Sequence, residues 1–101
     1  MANSTHTYAP DSRNESILIN INGVLIPREQ ATVSVFDSGF ILGDGIWEGL
    51  RVHNGAIPFL GPHLKRLWEG AKALDLDMGF SRQELTDRLF QTLEANQMTD
   101  H

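Results

Sequence analysis

Two Asn-Gly dipeptides, each lying between apolar runs, constrain the fold of this chain more than any other feature of the sequence. Asn22-Gly23 and Asn54-Gly55 both fit the two-residue turn of a β-hairpin, because both residues of such a turn need a positive φ. The paired runs are 17–21 with 24–26, and 46–53 with 56–60. Pro58 has no N–H to donate, so the last run is expected at a sheet edge. The first part of the chain therefore predicts an antiparallel sheet built from hairpins.

The second part of the chain carries two helical patterns. Pro62 suits the first position of a helix, and Ser81 with Glu84 forms a capping box at the start of another. The apolar stripes that follow are Leu64, Leu67, Trp68, Ala71 and Leu74, and then Leu85, Leu89, Phe90 and Leu93. The acidic stretch 75–79 between the helices lacks the ligand spacing of a calcium loop and is interpreted as a turn. Strands followed by helices indicate an α+β domain with two helices packed on the sheet.

Composition excludes several classes of partner. The net charge is -5, and no basic stripe is present, which argues against nucleic acid or an anionic membrane as a partner. No apolar run reaches the length of a membrane span. The absence of cysteine excludes disulfides and thiolate metal sites and fits a cytoplasmic protein. No metal site is expected from the histidines, which lie in separate elements: His6, His53, His63 and His101.

The chain divides into a tail and one folded domain. Residues 1–15 are polar, lack periodicity and include Pro10, so we expect a flexible N-terminal tail there. Residues 16–101 are expected to form the small domain.

The glycine-rich stretch 33–51 is the place where we expect function to reside. Within it, the run 46–53 alternates with a period of two, which places alternate side chains on opposite faces of a strand. Ile46, Leu50 and Val52 share the core face, and Trp47, Gly49 and Arg51 share the other. An aromatic ring, a missing side chain and a cation in a row are suited to a flat, anionic molecule.

Two charged residues require partners or a role. Glu48 falls on the core face of the strand, where a lone carboxylate is costly to bury, so it needs a donor such as Arg28 or a backbone N–H. Arg66 lies at the margin of the first helical stripe. It either points toward the sheet or behaves as a surface residue, solvated or paired with Glu69 one turn away.

The segments VFDSGFILGDGIWEGLRVHNG and HLKRLWEGAKAL resemble the small N-terminal domain of the class IV aminotransferases, which are pyridoxal-phosphate enzymes of fold type IV. The resemblance extends over residues 17–76. It implies that Arg66 binds the phosphate of pyridoxal 5'-phosphate, a role suited to a planar guanidinium. It also implies that Trp47, Gly49 and Arg51 line the substrate pocket, the same surface that the alternation singles out.

The chain departs from the family in lacking the catalytic centre. In these enzymes a larger C-terminal domain supplies the lysine that forms the Schiff base and the glutamate that holds the pyridine nitrogen. Lys65 and Lys72 are the only lysines here, and neither matches the catalytic position. No catalytic residue is therefore assigned, and the chain is interpreted as the N-terminal portion of an enzyme, inactive alone.

The resemblance implies transfer of an amino group between an amino acid and a 2-oxo acid, within a homodimer when the enzyme is complete. The pattern Glu48-Gly49-x-Arg51 favours a branched-chain L-amino acid. Three alternatives stay open: D-amino acid transamination, aminodeoxychorismate lyase activity on the same fold, and a non-catalytic association module.

Overall fold

The computed structural model describes residues 12–100 and contains a two-stranded antiparallel sheet and three α-helices. The strands and helices are β1 (Leu18–Ile21), β2 (Val24–Pro27), α1 (Ser38–Leu42), α2 (Leu60–Ala73) and α3 (Arg82–Ala95). Short 3-10 turns lie at Ser12–Asn14 and Arg28–Gln30. The arrangement confirms the predicted small α+β domain.

The first predicted hairpin forms with the expected turn. β1 and β2 pair in the register Ile21 opposite Val24 and Leu18 opposite Pro27. Asn22 and Gly23 adopt φ values of 55° and 87°, as the turn chemistry requires. The sequence therefore predicts both the strands and the register of this hairpin.

The second predicted hairpin is reduced to its turn and one bridge. Asn54 and Gly55 have φ values of 50° and 74°, and His53 pairs with Ala56 across the turn. The prediction of two full strands is wrong, because no described strand lies beside 46–52 to complete a ladder. The returning run is also cut short, since Phe59 adopts a left-handed conformation (φ 59°, ψ 29°) directly before α2.

Helix α1 is a short element that the sequence patterns did not identify. The side chain of Asp37 accepts a hydrogen bond of 2.9 Å from the backbone N–H of Gly39, which caps the N-terminus. Gly43 ends the helix in a left-handed conformation (φ 71°). Apolar side chains on and around this helix remain exposed: Val33, Val35, Phe36, Phe40, Ile41 and Leu42.

The two longer helices lie close to their predicted bounds, and α3 rests on β1. The hydroxyl of Ser81 accepts from the backbone N–H of Glu84 at 3.1 Å, which confirms the predicted cap of α3. At the other end, Asn96 accepts from the backbone N–H of Leu18 at 2.6 Å and donates to its carbonyl at 2.9 Å. Asn96 thereby ties the end of α3 to the start of the sheet.

Helix α2 packs against the extended segment 46–52. The approach is close at Gly70, because a Cβ there would lie 3.0 Å from Cγ2 of Ile46. The most buried apolar side chains belong to the chain from Val52 to α2: Val52, Ile57, Leu64 and Ala71. This contact fixes which face of the extended segment meets the helix.

Residues 1–11 of the predicted tail, with His6, and also His101, lie outside the described part of the chain. Within the predicted tail, Ser12–Asn14 forms a 3-10 turn, and the carbonyl of Asn14 accepts from Nη1 of Arg28 at 2.9 Å. Across residues 12–100, none of the helices has the length and apolar character needed to cross a membrane. The same residues contain no group of three or more His, Asp or Glu placed to hold a metal ion.

Candidate functional site

The extended segment 46–52 has the two faces that its alternation predicts. Trp47 is 85% exposed, whereas the side chain of Glu48 is 17% exposed and Val52 is 5% exposed. Ile46 and Leu50 are half-buried on the side of α2. Among the described residues, side-chain contacts with α2 hold this orientation, and no strand pairs with the segment.

Trp47, Gly49 and Arg51 are exposed and alternate with the less exposed Ile46, Glu48, Leu50 and Val52. The ring of Trp47 leans over Gly49, so that a Cβ at position 49 would lie 3.5 Å from Cζ3 of the ring. The predicted alternation of exposure along the segment is confirmed. The role of Trp47, Gly49 and Arg51 in substrate binding stays a prediction.

Glu48 joins the segment to the first turns of α2 through a three-residue cluster. Its Oε2 accepts a hydrogen bond of 2.9 Å from Nη2 of Arg66 and lies 2.5 Å from Nδ1 of His63. Nη2 of Arg66 lies 3.0 Å from the same Nδ1. We call these residues the Glu48–His63–Arg66 cluster.

The prediction that Arg28 or a backbone N–H donates to Glu48 was wrong. Arg28 donates instead to the carbonyl of Asn14. Glu69, one of the alternatives considered for Arg66, has its Oε1 3.9 Å from Nζ of Lys65. His63 was considered only as a metal ligand. His63 and Arg66 are three residues apart and therefore lie on one face of α2. Glu48 was predicted on the core face of the facing segment, so this spacing could have identified the cluster.

The hydrogen bond from His63 is the largest of the effects that hold the pKa of Glu48 below its ordinary value of 4.5, and Arg66 adds to it. Burial acts in the opposite direction and is outweighed. Glu48 is therefore an anion at neutral pH and an acceptor for both neighbours.

Acid is expected to remove the stabilisation that this carboxylate provides. Because the pKa of Glu48 is lower in the folded than in the unfolded state, the unfolded state takes up its proton first as the pH falls. The contribution is complete above the unfolded value and is lost as the pH falls through the folded one. We expect the stability difference between wild type and Glu48→Gln to shrink as the pH is lowered through the acidic range in which Glu48 takes up its proton, measured by urea unfolding. A difference that stays constant over this range would contradict the lowered pKa.

A surface groove of about 460 Å³ lies beside the cluster. It is lined by Phe59, Pro62, His63, Lys65, Arg66 and Glu69. The side chain of Arg66 is 63% exposed although its Nη2 is bonded to Glu48, so other N–H groups of the guanidinium remain accessible from the groove. A guanidinium held in this way is suited to bind an oxyanion such as a phosphate group.

A second cavity, of about 550 Å³, lies on the inner side of the segment between α2 and α3. Leucines dominate its walls: Leu50, Leu64, Leu67, Leu85 and Leu89. The cavity wall also includes Trp47, Glu48 and His63. His63 lines both this cavity and the groove beside Arg66.

Comparison with known proteins identifies relatives of one enzyme class. The family profile described as amino-transferase class IV matches residues 45–101. The branched-chain-amino-acid aminotransferase-like protein 1 of Arabidopsis thaliana is 44% identical over 91% of this chain and 17% of its own length. A putative branched-chain-amino-acid aminotransferase of Methanocaldococcus jannaschii is 38% identical over 81% of this chain and 28% of its own length.

Proteins named as D-alanine aminotransferases match a similar share of the chain. The D-alanine aminotransferase of Bacillus licheniformis is 35% identical over 78% of this chain and 28% of its own length. The chain thus spans between about a sixth and a little over a quarter of the length of these relatives. The matched region contains the extended segment, the Glu48–His63–Arg66 cluster and the groove.

Proposed function

Because this chain belongs to the class IV aminotransferase family, we propose that it supplies the phosphate-binding arginine and part of the substrate pocket of a pyridoxal-phosphate-dependent aminotransferase. The enzyme transfers an amino group between an amino acid and a 2-oxo acid. The observation that carries the proposal is the guanidinium of Arg66, which is held by Glu48 and exposed to an open groove.

The residues around the groove fit the phosphate end of this cofactor. Arg66 would hold the phosphate through charge-assisted hydrogen bonds, and Lys65 adds a second cation to the groove wall. When bound, pyridoxal 5'-phosphate supplies the electron sink that transamination requires. The part of the domain described here contributes binding and orientation: Arg66 fixes one end of the cofactor, and Trp47 and Arg51 present an aromatic ring and a cation to the substrate.

We propose a branched-chain L-amino acid as the amino donor. Two similar proteins carry a branched-chain name, and Gly49 leaves side-chain volume beside the ring of Trp47. The second candidate is a D-amino acid, which is favoured by the similarity to D-alanine aminotransferases. Aminodeoxychorismate lyase activity is a further alternative on the same fold.

The substrate proposal is tested with the full-length enzyme. L-leucine, L-isoleucine and L-valine are compared with D-alanine as donors, with 2-oxoglutarate as the acceptor, and kcat/KM is measured for each. We expect the three L-amino acids to exceed D-alanine. A preference for D-alanine would establish the second candidate instead.

Residues 1–101 by themselves are expected to show no transaminase turnover. The chemistry needs a lysine placed at the aldehyde carbon of the cofactor. Lys65 is a poor candidate because its side chain is 69% exposed on α2, with Nζ 3.9 Å from Oε1 of Glu69. Incubation with pyridoxal 5'-phosphate, borohydride reduction and peptide mapping should show no specific adduct. A pyridoxyl group trapped selectively on Lys65 would overturn this expectation.

We also propose that the complete enzyme is a cytoplasmic homodimer, as the resemblance to the family implies. Light scattering of the full-length protein measures the subunit number. A full-length protein that folds but binds neither cofactor nor substrate would favour the remaining alternative, a non-catalytic association module.

A further inference from the structure

An acid bonded directly to the proposed phosphate-binding arginine calls for a physical explanation. Glu48 neutralises Arg66 and repels an incoming dianion, so charge alone makes it unfavourable in an anion site. Glu69 also lines the groove but contacts Lys65 instead. Glu48 and Glu69 therefore carry the same charge, but only Glu48 is bonded to Arg66.

His63 shows that Glu48 is fixed in place. The ionised carboxylate of Glu48 can only accept, so Nδ1 of His63, 2.5 Å from Oε2, must carry the hydrogen of that bond. Nη2 of Arg66 also donates to Oε2, so its 3.0 Å approach to Nδ1 joins two donors and is not a hydrogen bond. One carboxylate oxygen thus accepts from two donors. The side chains of Glu48 and His63 are 17% and 19% exposed, so both are anchored in the fold.

Arg66 differs from its two neighbours in exposure. With 63% of its side chain exposed, it extends from the anchored pair toward the groove. A long, exposed arginine normally loses rotational freedom when it binds an anion, and that loss weakens binding. An arginine already held through Nη2 loses less, and its Nε and Nη1 donate to no other described residue.

We propose that Glu48 and His63 are positioning residues that hold Arg66 in its phosphate-binding orientation. The inference rests on the proposed function and assigns to Glu48 a favourable effect on cofactor binding that its charge alone would not give. His63 acts through Glu48, and Glu48 acts through Arg66.

The test measures the dissociation constant of pyridoxal 5'-phosphate for the full-length enzyme by fluorescence. Glu48→Gln keeps the shape of the side chain and removes its charge, and we expect it to weaken binding about tenfold. Glu69→Gln is the matched control, because it removes the same charge from the same groove without contacting Arg66. It should leave binding unchanged or slightly tighter.

A double-mutant cycle separates positioning from a general structural effect. In an Arg66→Ala background, Glu48→Gln should change the dissociation constant by less than about twofold, since the group it positions is gone. His63→Asn should retain most of the affinity because its amide N–H can replace Nδ1, whereas His63→Phe should lose it. Thermal denaturation of each cofactor-free variant identifies any that fail to fold.

A measurement on the cofactor-free enzyme tests the contact between Glu48 and Arg66 directly. Rotation of the Arg66 guanidinium, followed by ¹⁵N NMR, should be slow in the wild type and fast in Glu48→Gln. Tighter cofactor binding in Glu48→Gln, matching Glu69→Gln, would overturn the inference and make Glu48 a competing acid. A wild-type enzyme that binds no pyridoxal 5'-phosphate would instead overturn the proposed function, so the two failures are distinct.

Discussion

Replacing Leu50 with alanine is expected to destabilise the domain by about 2 to 3 kcal/mol. Leu50 is half-buried on the face toward α2 and lines the inner cavity with leucines of both long helices. Its removal enlarges a space that is already incompletely filled, which places the expected loss toward the low end for a Leu→Ala change. Urea unfolding followed by circular dichroism measures the change in the free energy of unfolding.

The neighbouring change Gly49→Val is the matched control and should leave stability within about 0.5 kcal/mol of the wild type. The new Cβ would meet the ring of Trp47 at 3.5 Å, an ordinary van der Waals distance. In the full-length enzyme, however, kcat/KM for L-leucine should fall about tenfold or more, because valine fills the proposed side-chain volume. An exchange of the two phenotypes would show that the segment faces the other way and that Trp47 and Arg51 are not at the site.

Arg66→Ala is expected to weaken binding of pyridoxal 5'-phosphate to the full-length enzyme by about 1.5 to 3 kcal/mol, the cost of losing a charge-assisted contact. Arg66→Lys should recover only part of the affinity. An ammonium supplies the charge but not the planar fork that can bond Glu48 and a phosphate together. Equilibrium titration of the cofactor-free enzyme measures the affinity.

Lys72→Ala provides the control for charge. Lys72 is also a cation of α2, but it lines a different groove, near the turn 75–79. Its removal should leave cofactor affinity unaltered. Equal affinity in wild type, Arg66→Ala and Arg66→Lys would return Arg66 to the surface role that the sequence left open.

Features set by neighbouring residues could be predicted from the sequence. Asn22-Gly23 specifies a turn with two positive φ values, and Ser81 caps α3, because each effect acts within a few residues. The face alternation of 46–52 was likewise predictable, since it depends only on the period of an extended chain. These local rules give the α+β class and the exposed Trp47 face.

Features that depend on distant partners could not be predicted in the same way. The acceptor of Arg66 is 18 residues away in sequence, and several donors satisfied the simple requirement that Glu48 be paired. Helix α1 has no apolar periodicity to identify it and depends on the Asp37 and Gly43 caps. The run 46–53 has a strand pattern, yet whether a ladder forms depends on which segment lies beside it.

Residues 46–52 form no ladder with the other described residues, although their side chains alternate in exposure as in a strand. With the other described residues, the backbone of 45–52 forms no hydrogen bonds, so its amide protons have no ladder to protect them from exchange with solvent. Its side chains are nevertheless held where Ile46 approaches Gly70, where Glu48 meets α2 and where Val52 is buried. Amide exchange in this segment should therefore be as fast as in a loop, whereas substitutions along it should have the alternating effects expected of a strand. The position of Glu48 depends on the side-chain contacts alone.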